Sequence, residues 1–319
     1  MFEPKLEVLP PTQREVWNEL KTTPDHFVLY EGTALSLRLG HRSSVDFDFF
    51  SSEPFSPGDL QPKVPYLQEA QRLQSEPNTL TCLVQRRGET IKISFFGGLD
   101  MAKVGHPQQT SGNGIWVASL SDLAATKLKV IQDRAEAKDY LDLARLLDEN
   151  VGLSDMVRAA MGVYGPAFNP MISMRALTFF QDGDLYKLDP AVQKKLQNAV
   201  AETDLDGLDP MPPGTLQNSA QGEGMRSLSQ VARRLIWWKE PEESLRDRLR
   251  LIAQIMVYGD LEDTQAMLRA FNRDELLQVL DSPPPGVFTD RAWSFWHVYL
   301  HKEPRQLPER FSESTDTSS

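Results

Sequence analysis

The sequence holds a single cysteine, Cys82, among 319 residues. One thiol closes no intramolecular disulfide and builds no cysteine-based metal site, so Cys82 is read as a small buried strand residue. Long apolar runs are lacking too: none approaches the roughly 20 residues that span a bilayer. The opening stretch Met1–Pro10 does not have the basic-then-apolar order of a secretory leader. No membrane partner and a cytoplasmic location are therefore expected. Positive charge is in deficit, with 34 Lys and Arg against 45 Asp and Glu and a net charge of -11, which argues against a surface that coats nucleic acid indiscriminately. No Gly-x-x-x-x-Gly-Lys-Ser/Thr run occurs, which disfavours a Walker-type NTPase. What remains, 40% hydrophobic and 25% charged residues, is ordinary for a globular chain able to bury a sizeable core.

The informative stretch runs from Tyr30 to Phe50. An apolar segment, Phe27–Tyr30, leads into Gly32-Thr33, then a short amphipathic helix over Ala34–Leu39, then Asp46-Phe47-Asp48-Phe49. Alternation along a strand puts Asp46 and Asp48 on one face and the two phenylalanines on the other. Paired carboxylates suit hard divalent cations, and Mg²⁺ characteristically links one or two of them to substrate phosphates. Gly32 would let backbone approach a phosphate, and Thr33 would offer a hydroxyl and an N–H to the same anion. The plainer reading is a helix cap followed by a solvated strand edge; the order of the two fragments favours chemistry.

Gly32-Thr33, twelve residues and then Asp46-x-Asp48 resemble the first motif of the AbiEii/AbiGii (MenT-like) nucleotidyltransferase toxins, within the polymerase-beta-like superfamily. The family usually carries Gly-Gly-Ser or Gly-Gly-Thr, so Glu31 stands in place of the first glycine. Further on, a helix with Lys127 precedes Lys138-Asp139-Tyr140-Leu141-Asp142, a pairing similar to the family's later motifs. The resemblance implies a lysine that helps hold the triphosphate and an aspartate, Asp139, close to the catalytic centre; Asp142 shares its helix face. The family's third carboxylate would fall on a later strand, where this chain has Ser94. Arg42 and Lys138 join Gly32 and Thr33 as candidate nucleotide contacts. Arg38, His41, Arg86, Arg87, Lys92, Lys129 and Arg134 also lie in this first part of the chain, either lining a locally basic cleft or scattered over several faces.

Along the chain, a capping box at Thr12-Gln13-Arg14-Glu15 opens a helix to about Leu20. Ser51–Pro65 reads as a loop and Leu67–Leu73 as a helix, while Leu80–Gln85 and Thr90–Phe96 around Arg86-Arg87-Gly88-Glu89 read as a β-hairpin. Helical runs follow at Leu153–Tyr164, Pro170–Phe180 and Pro190–Glu202. Residues 227–303 are helical again, with Arg250–Asp263 and Phe295-Trp296 resembling the small partner proteins encoded beside such toxins. Trp237, Trp238, Trp293, Phe295 and Trp296, at helical spacing among aliphatics, are expected in the core.

The expected organisation is α+β: a nucleotidyltransferase-like α/β core with a mixed sheet over 1–150, a helical extension over 151–202, a linker over 203–226, an all-α module over 227–303 and a disordered tail over 304–319. On the resemblance, the activity is transfer of a nucleoside monophosphate from an NTP, with Mg²⁺ or Mn²⁺, to an RNA end such as that of tRNA or to a protein hydroxyl. Asp46 and Asp48 hold the metal, Gly32 and Thr33 the phosphates, Lys127 the triphosphate charge, and Asp139 orients or deprotonates the acceptor. The C-terminal module then packs in cis on the catalytic domain or its helical extension. The competing reading is a catalytically degenerate nucleotide- or partner-binding protein of the same fold.

Overall fold

The computed structural model describes residues 1–212, 226–303 and 305–308. Residues 213–225 of the expected linker, and residues 304 and 309–319 of the expected tail, lie outside the described residues. The chain divides into two compact units. The first comprises Met1–Val130, Leu141–Phe168 and 210–212; the second comprises Ile131–Tyr140, Asn169–Asp209, 226–303 and 305–308.

Unit one is built on a mixed seven-stranded sheet. In chain order it contains α1 (Pro11–Glu19), β1 (Val28–Tyr30), α2 (Glu31–Leu39), β2 (Phe47–Phe50), α3 (Pro57–Lys63), β3 (Gln71–Glu76), β4 (Thr79–Arg86), β5 (Glu89–Phe96), β6 (Gln108–Gln109) and β7 (Trp116–Val117). Most of α4 (Leu120–Asp133) and α5 (Ala137–Asp148) and all of α6 (Leu153–Tyr164) complete it. The strand order is β3-β4-β5-β2-β1-β7-β6, with β2 parallel to β5 and antiparallel to β1. β2 alternates as its sequence demands. Phe47 and Phe49 are sealed from solvent, and Phe49 stacks on Phe95 of β5 at 5.2 Å while Phe27 meets the same ring edge-on at 5.0 Å. Burying each such ring contributes about 1.5–3 kcal/mol, which fixes the register that turns the aspartates the other way.

The β4–β5 hairpin forms as expected. Its two-residue turn, Arg87 and Gly88, has positive φ at both positions (52° and 81°), the geometry whose twist matches the flanking strands. Gly40, at φ 65°, ends α2 in the same left-handed region, its N–H bonded to the Ser36 carbonyl.

Two expectations on the way from β2 to β4 are corrected. The stretch Ser51–Pro65 contains the helix α3, started by Pro57 at a first-turn position where its missing N–H costs nothing. The helix expected over Leu67–Leu73 gives way to β3, an exposed edge strand whose residues pair with β4 from Gln71↔Leu83 to Glu76↔Thr79. Pairing with β4 supplies the backbone partners, and the polar, charged face of β3 blunts the sheet's open edge.

Unit two gathers α7 (Pro170–Ala176), α8 (Pro190–Ala201), α9 (Leu228–Leu235), α10 (Pro241–Arg246), α11 (Arg248–Tyr258), α12 (Leu261–Ala270), α13 (Arg273–Asp281) and α14 (Asp290–Tyr299). Here α14 packs against both α7 and α8. Ser294 Oγ donates to the Thr178 carbonyl at 2.6 Å, and Arg175 donates to the carbonyls of Met256 and Gly259 at 3.0 and 3.2 Å. Trp293, Phe295 and Trp296 are core, as expected, with Trp296 Nε1 donating to the Met256 carbonyl. Trp237 and Trp238 are not. They lie in the turn after α9, 79% and 48% exposed and edge-to-face with each other, because Ile236 takes the buried position there. Among the described residues no helix is long and apolar enough to cross a membrane.

Candidate functional site

β2 and β5 run parallel with Asp48 opposite Ser94, so the serine is held beside the second aspartate by sheet register. Burial pushes the Asp48 carboxyl up and Asp46 pushes it the same way, against the Ser94 hydroxyl and the ammonium groups of Lys92 and Lys127. Asp46, one residue ahead of the strand, is half-exposed and lies 3.0 Å from Lys92 Nζ, which comes from the same face of β5 as Ser94.

Lys127, on α4, is sealed from solvent. An ammonium in that position requires partners. Its Nζ lies 2.9 Å from Asp142 Oδ2 on α5 and 3.6 Å from Glu31 Oε2 at the start of α2. Asp142, fully buried, also receives Arg42 in a fork, Nε to Oδ1 at 2.6 Å and the second nitrogen to Oδ2 at 2.7 Å, with His41 Nε2 2.7 Å from Oδ1. Burial alone would raise the Asp142 carboxyl; Arg42, His41 and Lys127 together overturn that and hold it well below the usual carboxylate range.

Gly32 and Thr33 serve this arrangement in a way the motif did not announce. A Cβ on Gly32 would sit 2.6 Å from the Arg42 guanidinium, so the glycine clears the space through which Arg42 reaches Asp142. Thr33 Oγ1 donates to the Asp46 carbonyl and lies 2.8 Å from Ser44 Oγ. Its buried hydroxyl is directed into the loop that delivers Asp46.

Asp139 is buried and receives Arg134 Nε at 2.9 Å, and Asp142 lies 2.9 Å from Lys127 Nζ. Lys138 pairs with Glu136 at 2.7 Å. Of the wider basic set, Arg38 donates to the carbonyls of Val117 and Ala118, Arg86 pairs with Glu19 at 2.7 Å, and Arg87 pairs with Glu15. Those three serve the scaffold.

Sequence reasoning did not assign roles to Glu31, His41 or Lys92 at this centre. The shared face of Lys92 and Ser94 on β5 was a usable signal; the convergence of His41 and Glu31 was not, since both depend on how α2 meets α4 and α5.

The profile of the nucleotidyl transferase AbiEii toxin family, from type IV toxin–antitoxin systems, matches residues 18–213. The chain belongs to the AbiEii nucleotidyl transferase toxin family. That match takes in β1 to α8 and every residue of the centre just described. An uncharacterized protein of Aquifex aeolicus (strain VF5) is 34% identical over 119 residues, 37% of this chain and 55% of that protein, so the chain spans about half the length of the curated relative it matches. A crystal structure of a provisionally assigned nucleotidyltransferase from H. pylori aligns with 59% of this chain and 90% of its own, at 18% identity and a TM-score of 0.40. In this AbiEii member the acidic set is short: among the described residues no group of three or more His, Cys, Asp or Glu is placed to hold a metal ion. Two carboxylates with a serine hydroxyl still form a hard-oxygen donor set. They fit a cation that keeps waters and substrate phosphates as its other ligands, and the upward push on Asp48 is the imbalance such a cation would offset.

Proposed function

We propose that the chain transfers a nucleoside monophosphate from an NTP to a hydroxyl of an RNA end, tRNA foremost, or of a protein. The observation that supports this reading is the sheet register that sets Asp48 beside Ser94, with Asp46 two residues ahead of it; burial raises the Asp48 carboxyl there, and the ammonium groups of Lys92 and Lys127 oppose that push. Asp46 and Asp48 would hold Mg²⁺ or Mn²⁺, which when bound links protein carboxylates to phosphate oxygens and offsets their charge. Lys127 supplies fixed positive charge in dry surroundings, where it counts most as negative charge spreads over the transferred group. The acceptor oxygen forms a bond to the α-phosphorus and the α–β bridging bond breaks. Pyrophosphate departs with the electron pair, and the hydroxyl proton passes to water.

Asp142 acts through Lys127 and is a positioning residue, with Arg42 and His41 completing its hydrogen bonds. Asp139, paired with Arg134, is given no contact with the acceptor in this scheme, and Lys138 none with phosphate. The helices of 227–303, by their likeness to separately encoded partners and their packing on α7 and α8, are proposed as a cis brace for those two helices.

A second reading, a nucleotide- or partner-binding protein without catalysis, draws on Ser94 at the third acidic position and Lys92 on Asp46. Incubating the purified chain with each labelled NTP and total tRNA separates the two. Label in RNA or protein that disappears in Asp48→Asn supports transfer; binding without label from any of the four supports the second reading.

A further inference from the structure

Glu31 is the strained residue of this centre. It opens α2 with φ at 61°, in the left-handed region where a side chain costs energy and glycine does not. Strain of this kind persists when surrounding contacts hold it, and the contact here is electrostatic. The Glu31 carboxylate, 20% exposed, lies 3.6 Å from the Lys127 ammonium, which is 2% exposed and already 2.9 Å from Asp142. Lys127 thus lies within reach of a fully buried acid, Asp142, and a partly exposed one, Glu31.

We propose that Glu31 is an intrachain stand-in for a substrate phosphate: its partly exposed carboxylate stands beside the Lys127 ammonium, repels polyphosphate and must swing away before a triphosphate can engage the lysine. The inference rests on the nucleotidyl-transfer reading for its biological meaning, since it assigns this chain an affinity-limiting residue at the triphosphate position. Of the two acids, Glu31 has solvent to swing into, being 20% exposed, whereas Asp142 is fully buried. An acid held this way weakens every polyphosphate alike and leaves recognition of the base untouched.

The test uses the full chain as wild type, Glu31→Gln and Glu31→Gly, titrated calorimetrically with inorganic tripolyphosphate and with each NTP in the presence of Mg²⁺. Glu31→Gln removes the charge and keeps the shape; Glu31→Gly also relieves the positive φ, so its melting temperature should be unchanged or higher. Removing a like charge from a phosphate site should tighten tripolyphosphate by about tenfold in both variants, with a smaller gain at high salt. Equal or weaker binding in both variants overturns the inference, as would be seen if Glu31 instead contacted the ribose or a metal. The two readings fail separately. Tighter tripolyphosphate with no labelled product from any NTP keeps the stand-in and sinks nucleotidyl transfer, whereas transfer with identical NTP affinity in wild type and Glu31→Gln does the reverse. No binding of tripolyphosphate or any NTP to any of the three proteins overturns both.

Discussion

Lys127 and Asp142 face each other at 2.9 Å with both side chains all but closed to water. Neither charge is tolerable there alone. Breaking a buried pair by removing one partner typically costs about 3–5 kcal/mol, and here Glu31 beside Lys127, and Arg42 with His41 on Asp142, hold the loss towards the lower figure. Asp142→Ala and Lys127→Met should each show a loss of that size in urea unfolding, and the double variant should lose less than the sum. Additive losses would mean that the two groups do not support each other.

The same pair sets the acid limit of the fold. Asp142 is held below the usual carboxylate range in the folded chain, by its hydrogen bonds and Lys127 acting against burial. A depressed carboxyl contributes stability that is fully present above its unfolded pKa, about 3.9, and is lost as pH falls towards the folded value. Between pH 7 and 5 the difference in stability between wild type and Asp142→Asn should stay constant, then shrink below about pH 4. A difference that already collapsed near neutrality would mean that the Asp142 carboxyl is not the group responsible.

Gly32 tests whether the glycine is there for the backbone or for Arg42. A methyl group at position 32 would meet the Arg42 guanidinium at 2.6 Å, and that guanidinium is pinned by two bonds to Asp142. Gly32→Ala should therefore displace Arg42 and cost about 1.5–3 kcal/mol, the range for hydrogen bonds to charged groups. In an Arg42→Ala background the same substitution should be close to neutral. An equal penalty in both backgrounds would assign the glycine to backbone clearance.

Much of this centre was legible because it follows from period and order. The alternation of Asp46-Phe47-Asp48-Phe49 gave the two faces of β2, and Arg86-Arg87-Gly88-Glu89 gave the hairpin that brings Ser94 beside Asp48. What was hidden depends on packing. Asp139 and Asp142 are equivalent by helical spacing, and the contacts of Asp142 with Lys127 and of Asp139 with Arg134 follow from packing that spacing does not encode. β3 has no apolar alternation because it buries neither face, so nothing local distinguishes Gln71–Glu76 from a polar helix. Trp237 and Trp238 carry the apolar weight of core residues, and their exposure is set by the turn after α9.

Cation binding should expose the role of Lys92. With two carboxylates and no third acid, Mg²⁺ affinity should be weak without nucleotide and should improve when an NTP supplies phosphate oxygens. Lys92 competes for Asp46, but both groups are about two-fifths exposed and their attraction is screened. Lys92→Ala is accordingly expected to strengthen nucleotide-free Mg²⁺ binding by only about two- to fivefold, read by calorimetry. Tight binding independent of NTP, or none even with NTP, would count against Asp46 and Asp48 as the metal ligands.

The C-terminal helices are expected to be indispensable to α7 and α8. A fragment ending at residue 205 keeps these two helices and loses α14, which packs on both, together with the carbonyls of Met256 and Gly259 that Arg175 reaches and the Ser294 hydroxyl bonded to Thr178. Arg175 is buried enough that its guanidinium is pushed down to about 10, so losing those acceptors leaves it without two of its hydrogen bonds. Asp182 also loses Arg291, 2.8 Å away. Core side chains of α7 such as Met171 and Met174, now sealed, would cost about 1.5–3 kcal/mol each if exposed to water, a large share of a domain's margin of about 5–15 kcal/mol. The fragment should therefore show rapid proteolysis after Asn169 and lose the cooperative melting of the full chain, and adding residues 226–308 as a separate piece should restore protection. A fragment that melts cooperatively at the full-length temperature, with no change on adding the second piece, would make the C-terminal helices an independent appendage.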